Sequence, residues 1–204
     1  VPPVVFQYFR GAAGLEMTAR RNIIDLLRIM FRMQDGAATM ESRELDLSTT
    51  FVGEKFARPW LFCPVGSLVL LRRRADVLVA KVAKMFGTPM IQSTLSGTPM
   101  DLVASAAEGL TWFQLYLCGG KESSIERIKL AKKLKFKVLV LTIDTTEPGL
   151  RESHAAMRPT QALGSIFGMI RVIPQMWFRI RWLCSYFAGG GMIEFPNVIM
   201  KDGS

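Results

Sequence analysis

Short apolar runs alternate with amphipathic helical stretches along most of this 204-residue chain, and this alternation constrains its fold more than any other feature. The apolar runs begin at Pro59, Thr88, Leu110 and Phe136, so consecutive starts lie 22 to 29 residues apart. That spacing is typical of parallel strands that are each followed by a crossover helix. Because the runs are continuously apolar, they indicate strands that are buried on both faces.

Residues that favour helix ends separate the apolar runs. Gly87 predicts the end of one helix, and Thr98 followed by proline predicts the start of the next. Ser123 begins a capping-box spacing, which predicts that it caps a third helix. The buried face of that third helix is predicted to consist of Ile125, Ile128 and Ala131.

The pattern predicts an α/β fold of four strand–helix units behind a helical N-terminal segment. Four strands cannot close an eight-stranded barrel, and a (β/α)8 TIM barrel needs about 250 residues. We therefore expect residues 1–204 to be the N-terminal portion of one such domain: a helical segment over 1–58, the first four βα strands over 59–150, and a long loop region over 151–204. An open doubly wound sheet is the alternative, although the glycine-rich first turn of a dinucleotide site is absent.

The composition predicts a folded protein that attracts anionic partners. Half of the residues are hydrophobic and the formal net charge is +9, which attracts phosphate groups, carboxylates or anionic lipid. No basic helix with spaced base-reading residues is present, so we expect no nucleic-acid partner. The three cysteines lack CxxC spacing and leave an odd count, which predicts no metal site and a reducing, cytoplasmic compartment.

Residues 166–187 form a further apolar region, which arginines interrupt. Arg171, Arg179 and Arg181 make a bilayer-spanning helix expensive. A mixture of aromatic and basic residues suits the membrane surface, which gives one prediction for this segment: peripheral attachment to a membrane. The alternative is a loop helix that packs on the remaining part of a barrel.

Polar residues stand at the ends of the apolar runs. These ends are Cys63–Gly66, Ser93–Leu95, Gln114–Tyr116 and Thr142–Asp144. In a βα barrel the loops that follow the strands surround the active site. Hydrogen-bonding groups, a phenol and a carboxylate around one mouth predict a small-molecule site, with an acid–base or electrostatic role for Asp144.

Four stretches of the chain carry a family resemblance that covers nearly its whole length. They are VVFQYFRGAAG, DLSTTFVGEKFARPWLFCPVG, WFQLY and LTIDTTEPGLRE, in that order. Together they resemble the FMN-dependent α-hydroxy acid dehydrogenase and oxidase family, whose members include lactate dehydrogenase-like and glycolate oxidase-like enzymes. The resemblance implies FMN as cofactor, a small 2-hydroxy acid as substrate, and oxidation of that acid to the 2-oxo acid.

The resemblance also implies roles for individual residues. Tyr116 corresponds to the tyrosine beside the substrate hydroxyl, and Asp144 to the aspartate that pairs with the catalytic histidine. Tyr8 and Arg151 correspond to groups that bind the substrate carboxylate, for which a charge-assisted arginine contact is suited. The residues implied to contact the flavin are Pro64, Val65, Gly66, Ser93, Gln114 and Thr142.

Several parts of the family pattern are not in this sequence. The family's lysine, its His-Gly-x-Arg segment and its flavin phosphate loops all lie beyond the fourth strand. The single histidine, His154, falls in the wrong loop for the catalytic base. We therefore expect the chain to be inactive alone and its longer parent to be the enzyme, assembled as a homo-oligomer. The alternative is a non-catalytic, truncated paralogue that binds a membrane surface or a partner.

Three features depart from the family within the matched region. Ala13 stands in place of the family's acidic residue after the N-terminal turn. Residues Arg72–Asp76 replace a His-Pro-x-Gly-Glu-like segment, and we interpret this basic cluster as a solvated or lipid-facing surface. Leu95 stands where an aromatic residue is common, which favours a pocket for a bulkier hydroxy acid than glycolate.

Overall fold

The structure, a computed structural model, describes residues 1–32, 46–143, 170, 174–188 and 195–198. These residues form two compact units. The helical unit comprises residues 2–32, 46, 170 and 174–178, and the sheet unit comprises residues 47–143, 179–188 and 195–198. No helix among the described residues is long and apolar enough to cross a membrane.

The helical unit contains α1 (Pro3–Arg10) and α2 (Met17–Leu27). The sheet unit contains, in chain order, β1 (Thr49–Phe51), β2 (Glu54–Phe56), a 3₁₀ turn (Leu68–Leu70), α3 (Ala75–Phe86), β3 (Met90–Ser93), α4 (Met100–Ala107), β4 (Thr111–Leu115), α5 (Gly120–Lys133), β5 (Leu139–Leu141) and α6 (Ile180–Phe187).

Three parallel strands lie side by side in the order β3, β4, β5. The strand predicted near Pro59 is reduced to a single parallel bridge between Phe62 and Met90. Pro59 and Pro64 flank this bridge, and neither can donate a ladder hydrogen bond, which explains why the first strand is so short.

Successive residues of each strand face opposite sides of the sheet, so the sheet has an outer and an inner face. The outer face packs against the helices, with a core formed by Ala80, Ala83, Met90, Val103 and Ala107, and a neighbouring one by Met100, Phe113, Leu115 and Ala131. The inner face begins with an apolar layer in which Ile91 and Trp112 pack with Phe56, and Val138 and Val140 lie against them.

The hairpin of β1 and β2 covers the amino-terminal end of this inner face. Phe51 stacks on Trp112 with ring centroids 5.6 Å apart. Glu54 pairs with Lys137 at 2.8 Å, just before β5 begins. Gly87, where α3 ends, has φ +61°, and a Cβ there would lie 2.8 Å from the Cβ of Ala57. Only glycine fits that approach, and the hairpin leaves the carboxyl ends of the strands for a site.

The helix-end predictions had different outcomes. Gly87 ends α3 as expected. Thr98 does not cap α4 with its side chain, because its hydroxyl bonds elsewhere. The prediction for Ser123 was wrong: α5 begins at Gly120, and Ser123 lies inside its first turn. Glycines at 119 and 120, with φ +78° and +85°, let the chain turn into the helix earlier.

Candidate functional site

A polar layer lies above the apolar layer on the inner face, at the carboxyl ends of the three strands. Ser93 ends β3, Gln114 lies on β4, and Thr142 follows β5 directly. Each stands two residues beyond a member of the apolar layer, so strand pleating places all three on one face. Ser93 and Gln114 are 4% and 2% exposed, so their polar atoms need partners within the protein.

These three predicted site residues form one hydrogen-bonded chain. Ser93 Oγ donates to Gln114 Oε1 at 3.1 Å, and Gln114 Nε2 donates to Thr142 Oγ1 at 2.9 Å. The N–H of Thr94 donates to the same Gln114 oxygen at 3.2 Å. The amide oxygen is therefore occupied twice, whereas the amide nitrogen keeps a second hydrogen beyond the one given to Thr142.

Thr94 connects Tyr116 to this chain, and the sequence did not single it out. Its hydroxyl donates to the carbonyl of Gln114 at 2.6 Å and accepts the N–H of Tyr116 at 3.1 Å. Thr94 is fully buried, while Tyr116 is half-buried. The Ser-Thr pair at the end of a strand was the available signal. The backbone that carries the phenol is thereby fixed to the neighbouring strand.

The proline segment, Pro64–Gly66, lies beside the same strand ends. Ser67, which follows it, donates its N–H to the carbonyl of Leu95 at 2.9 Å. A Cβ on Gly66 would lie 3.2 Å from the Cβ of Leu95, so the two backbones approach closely. Val65 is 40% exposed and offers an apolar surface at the mouth of the site.

Arg127 donates hydrogen bonds to the loop after β4, and this role was not predicted from the sequence. This arginine on α5 is 1% exposed, while the predicted core residues Ile125 and Ile128 are 40% and 39% exposed. Its Nε donates to the Ser123 carbonyl at 3.1 Å and its Nη2 to Ser123 Oγ at 2.9 Å. Further bonds reach the carbonyls of Tyr116 and Cys118. The predicted apolar face of α5 was therefore partly wrong.

The interpretation of residues 72–76 as a solvated or lipid-facing surface was wrong for Asp76, which is buried. The three arginines before it are exposed, but Asp76 is fully buried at the start of α3. It shares the buried face of the helix with Ala80 and Ala83, a period that the sequence contained. Thr98 Oγ1 donates to Asp76 Oδ2 at 2.8 Å. Removal from water raises the pKa of Asp76, although the hydrogen bonds from Thr98 and Ser96 oppose the rise.

The raised pKa makes stability depend on pH. From about pH 4 up to the pKa in the folded protein, folded Asp76 binds more protons than unfolded Asp76, so the free energy of unfolding falls as pH rises through that window. We expect Asp76→Asn to lose this slope, because asparagine carries no charge to desolvate. Urea unfolding at several pH values measures it, with the exposed Asp101→Asn as control. An unchanged slope in Asp76→Asn contradicts the prediction.

The remaining predicted site residues lie in the helical unit or outside the described residues. Tyr8 is a half-buried residue of α1 in the helical unit, with its ring centroid 5.1 Å from that of Phe9. Asp144 and Arg151 lie outside the described residues. Their implied roles, and that of Tyr8, stay predictions. Of the segment 166–187, only residues 170 and 174–187 are described.

A cavity of about 220 Å³ lies at the opposite end of the strands from the polar layer. It is bounded by the hairpin and by Arg58, Trp60 and Pro89, and most of its wall is apolar. None of the predicted site residues that the structure describes lines it. The polar layer at the carboxyl ends is therefore the candidate site.

Comparisons with known proteins agree with this architecture. The family model described as FMN-dependent dehydrogenase matches residues 1–197. The L-lactate dehydrogenase of Ectopseudomonas mendocina (strain ymp) is 37% identical over all of this chain and 52% of its own length. That of Xanthomonas campestris pv. campestris (strain 8004) is 35% identical, over 100% and 51%. The chain belongs to the FMN-dependent dehydrogenase family, and it spans about half the length of the curated relatives it matches.

Solved structures show the same fold. A monotopic membrane protein, (S)-mandelate dehydrogenase, superposes with a TM-score of 0.84 over all of this chain and 52% of its own, at 24% identity. A soluble mutant of the membrane-associated (S)-mandelate dehydrogenase from Pseudomonas putida gives a TM-score of 0.68 at 26% identity, over 76% and 44%. The predicted fold class, the N-terminal portion of a (β/α)8 barrel, is confirmed.

FMN is the cofactor of this family, and the chemistry of the polar layer fits it. The rim of a flavin ring presents carbonyl oxygens and an N–H, which call for donors and acceptors in one plane. Among the described residues, one amide hydrogen of Gln114 and the hydroxyl hydrogen of Thr142 remain to donate, and the oxygens of Ser93 and Thr142 can accept. The proline segment adds a backbone edge without a bulky side chain at Gly66.

Proposed function

We propose that the protein to which this chain belongs oxidises a 2-hydroxy acid to the 2-oxo acid with FMN, and that the polar layer is its flavin face. The observation that carries the proposal is the hydrogen-bonded chain of Ser93, Gln114 and Thr142 at the carboxyl ends of adjacent parallel strands. Barrel enzymes place their sites at these ends. Membership of the FMN-dependent dehydrogenase family supports the choice of cofactor.

The residues of this chain bind and orient in the proposed reaction. FMN, when bound, accepts the electron pair from the α-carbon. Tyr116, whose backbone is fixed by Thr94 and Arg127, is proposed to bond the substrate hydroxyl. Tyr8 and Arg151 are proposed to bind its carboxylate. Asp144 is proposed to stabilise the protonated catalytic histidine that the family places beyond the fourth strand.

The substrate class follows from the relatives and is tested with two acids. The relatives' names are L-lactate dehydrogenase and (S)-mandelate dehydrogenase, so we propose an aliphatic or an aromatic 2-hydroxy acid. The gene product that contains these residues should purify yellow, and anaerobic L-lactate or (S)-mandelate should bleach its flavin. A flavin that stays oxidised with both acids contradicts the proposal. The single-domain assignment, the homo-oligomer and the cytoplasmic location stay predictions.

We further propose peripheral attachment to a membrane surface through α6. Trp182 attaches this helix to the 3₁₀ turn, because its Nε1 donates to the carbonyl of Leu70 at 2.8 Å. Within the helix, its ring stacks on Tyr186. Ile180 and Phe187 remain 66% and 64% exposed. Apolar side chains beside an exposed arginine are typical of helices that lie in a membrane interface. The membrane-associated relative from Pseudomonas putida supports this choice.

Removing the exposed apolar groups of α6 should weaken binding to lipid. We expect Ile180→Ser with Phe187→Ser to lower binding to anionic phospholipid vesicles by a factor on the order of 1,000, because each substitution removes about 2 kcal/mol of apolar burial in the membrane. Co-sedimentation with the vesicles measures it. Met85→Ser removes another exposed apolar side chain, 82% exposed on α3, and serves as the control. Equal binding by all three proteins excludes α6 as the docking helix.

A further inference from the structure

A second polar cluster lies behind the strand ends, on the helix side of β3, and it contains a carboxylate. Its five members come from α3, β3, the turn before α4 and the segment 195–198. Each member is at most 3% exposed: Asp76, Gln92, Ser96, Thr98 and Asn197. Burial of so many polar groups costs free energy unless they bond to one another.

Thr98 is the centre of this cluster. Its hydroxyl donates to Asp76 Oδ2 at 2.8 Å, and its N–H donates to Ser96 Oγ at 3.1 Å. Its carbonyl accepts from Gln92 Nε2 at 2.8 Å and from Asn197 Nδ2 at 3.0 Å. One residue with every polar atom in use therefore joins a helix, a strand and a segment about one hundred residues away in sequence.

Asp76 carries a free-energy cost that its surroundings do not offset with charge. Among the described residues it has no cationic partner, and its Oδ1 accepts no hydrogen bond. An apolar residue of similar volume avoids this desolvation cost. What the carboxylate does supply is an acceptor at a fixed point, which determines where the hydroxyl of Thr98 lies.

The turn of residues 93–98 also carries Ser93, a residue of the flavin face. Ser93 Oγ accepts the N–H of Leu95 at 3.1 Å, and the Ser93 carbonyl accepts the N–H of Ser96 at 3.1 Å. The carbonyl of Leu95 accepts the N–H of Ser67, which follows the proline segment. A shift of Thr98 therefore reaches both Ser93 and the proline segment through a few hydrogen bonds.

We propose that Asp76 is a positioning residue for the flavin face: by holding the hydroxyl of Thr98 it sets the turn of residues 93–98, and through that turn the positions of Ser93 and the proline segment. Its effect on FMN rests on the proposed function, whereas its effect on the turn does not. Asp76 itself is placed on the helix side and is not proposed to touch the flavin.

The test compares variants that keep or remove the Thr98 hydroxyl and its acceptor. Thr98→Val and Asp76→Leu each remove the hydrogen bond from the Thr98 hydroxyl to the residue 76 side chain, while Thr98→Ser and Asp76→Asn each keep it. The first readout is amide hydrogen exchange at Ser67, whose N–H reports the position of Leu95. The second is the dissociation constant for FMN, measured by quenching of flavin fluorescence in the gene product that contains these residues.

The two bond-breaking variants should raise exchange at Ser67 about tenfold and weaken FMN binding about tenfold, which corresponds to one lost buried hydrogen bond. Exchange at Lys137, whose N–H bonds at the amino-terminal end of the sheet, should stay unchanged. The two bond-keeping variants should resemble the wild type. Thr98→Val could instead lose stability with equal changes in exchange at Ser67 and Lys137 and an unchanged FMN affinity. That result would show that Asp76 stabilises the fold without positioning the flavin face. If the wild type binds no FMN, the proposed function fails, and exchange at Ser67 still decides the positioning role.

Discussion

Replacing Arg127 with methionine should lower the free energy of unfolding by about 3 kcal/mol, because buried acceptors that lose their donor keep the full cost of desolvation. The guanidinium donates to three carbonyls, those of Ser123, Tyr116 and Cys118, and to the Ser123 hydroxyl. Methionine fills the volume but donates nothing. Among the described residues Arg127 forms no ion pair, so the expected loss reflects hydrogen bonds alone.

Urea denaturation of Arg127→Met and Lys129→Met measures this loss. Lys129 lies on the same helix, is exposed, and loses the same charge on substitution. The control should stay within about 0.5 kcal/mol of the wild type. Equal unfolding midpoints for the two variants contradict the assignment of Arg127 as the residue that supports the loop after β4.

Replacing Gln114 with leucine should have the largest effect on the proposed site. Ser93 Oγ and the N–H of Thr94 lose their shared acceptor, and Thr142 loses its donor. We expect a loss of about 2–3 kcal/mol in stability and a decrease of at least about tenfold in FMN affinity, since buried polar groups are left unpaired.

Gln114→Glu separates the two roles of this amide. The carboxylate keeps the shape and an acceptor for Ser93 and Thr94, but it no longer donates. We expect this variant to retain more stability than Gln114→Leu and to bind FMN as poorly, as measured by urea denaturation and fluorescence quenching. If Gln114→Glu binds FMN like the wild type, the amide hydrogen is not a flavin contact.

The strand ends could be predicted from the sequence because the pattern there is local. Continuous apolar runs defined β3, β4 and β5, and alternation along each strand puts Ser93, Gln114 and Thr142 on one face. The shortening of the first predicted strand to a bridge at Phe62, and the hairpin before it, were not predicted. Both depend on how prolines and tight turns interrupt pairing, which the spacing of apolar runs does not encode.

The burial of Arg127 and Asp76 was not predicted, because long-range contacts decide which charged side chains on a helix are covered. Arg127 and Asp76 are residue types that are normally exposed, and local periodicity favoured Ile125 and Ile128 as the core of α5. Arg127 is buried because carbonyls of the β4 loop need donors, and Asp76 because Thr98 needs an acceptor. Asn197, far along the chain, completes that second cluster.

The central claim is that the polar layer at the strand ends faces FMN, and the side-chain amide of Gln114 tests it most directly. Its ¹⁵N–¹H resonances can be followed while FMN is added to the gene product that contains these residues. The proposed site predicts that the Gln114 amide resonance moves as FMN binds, while the amide of Gln7 in α1 does not. FMN binding that leaves the Gln114 amide unmoved would contradict the claim.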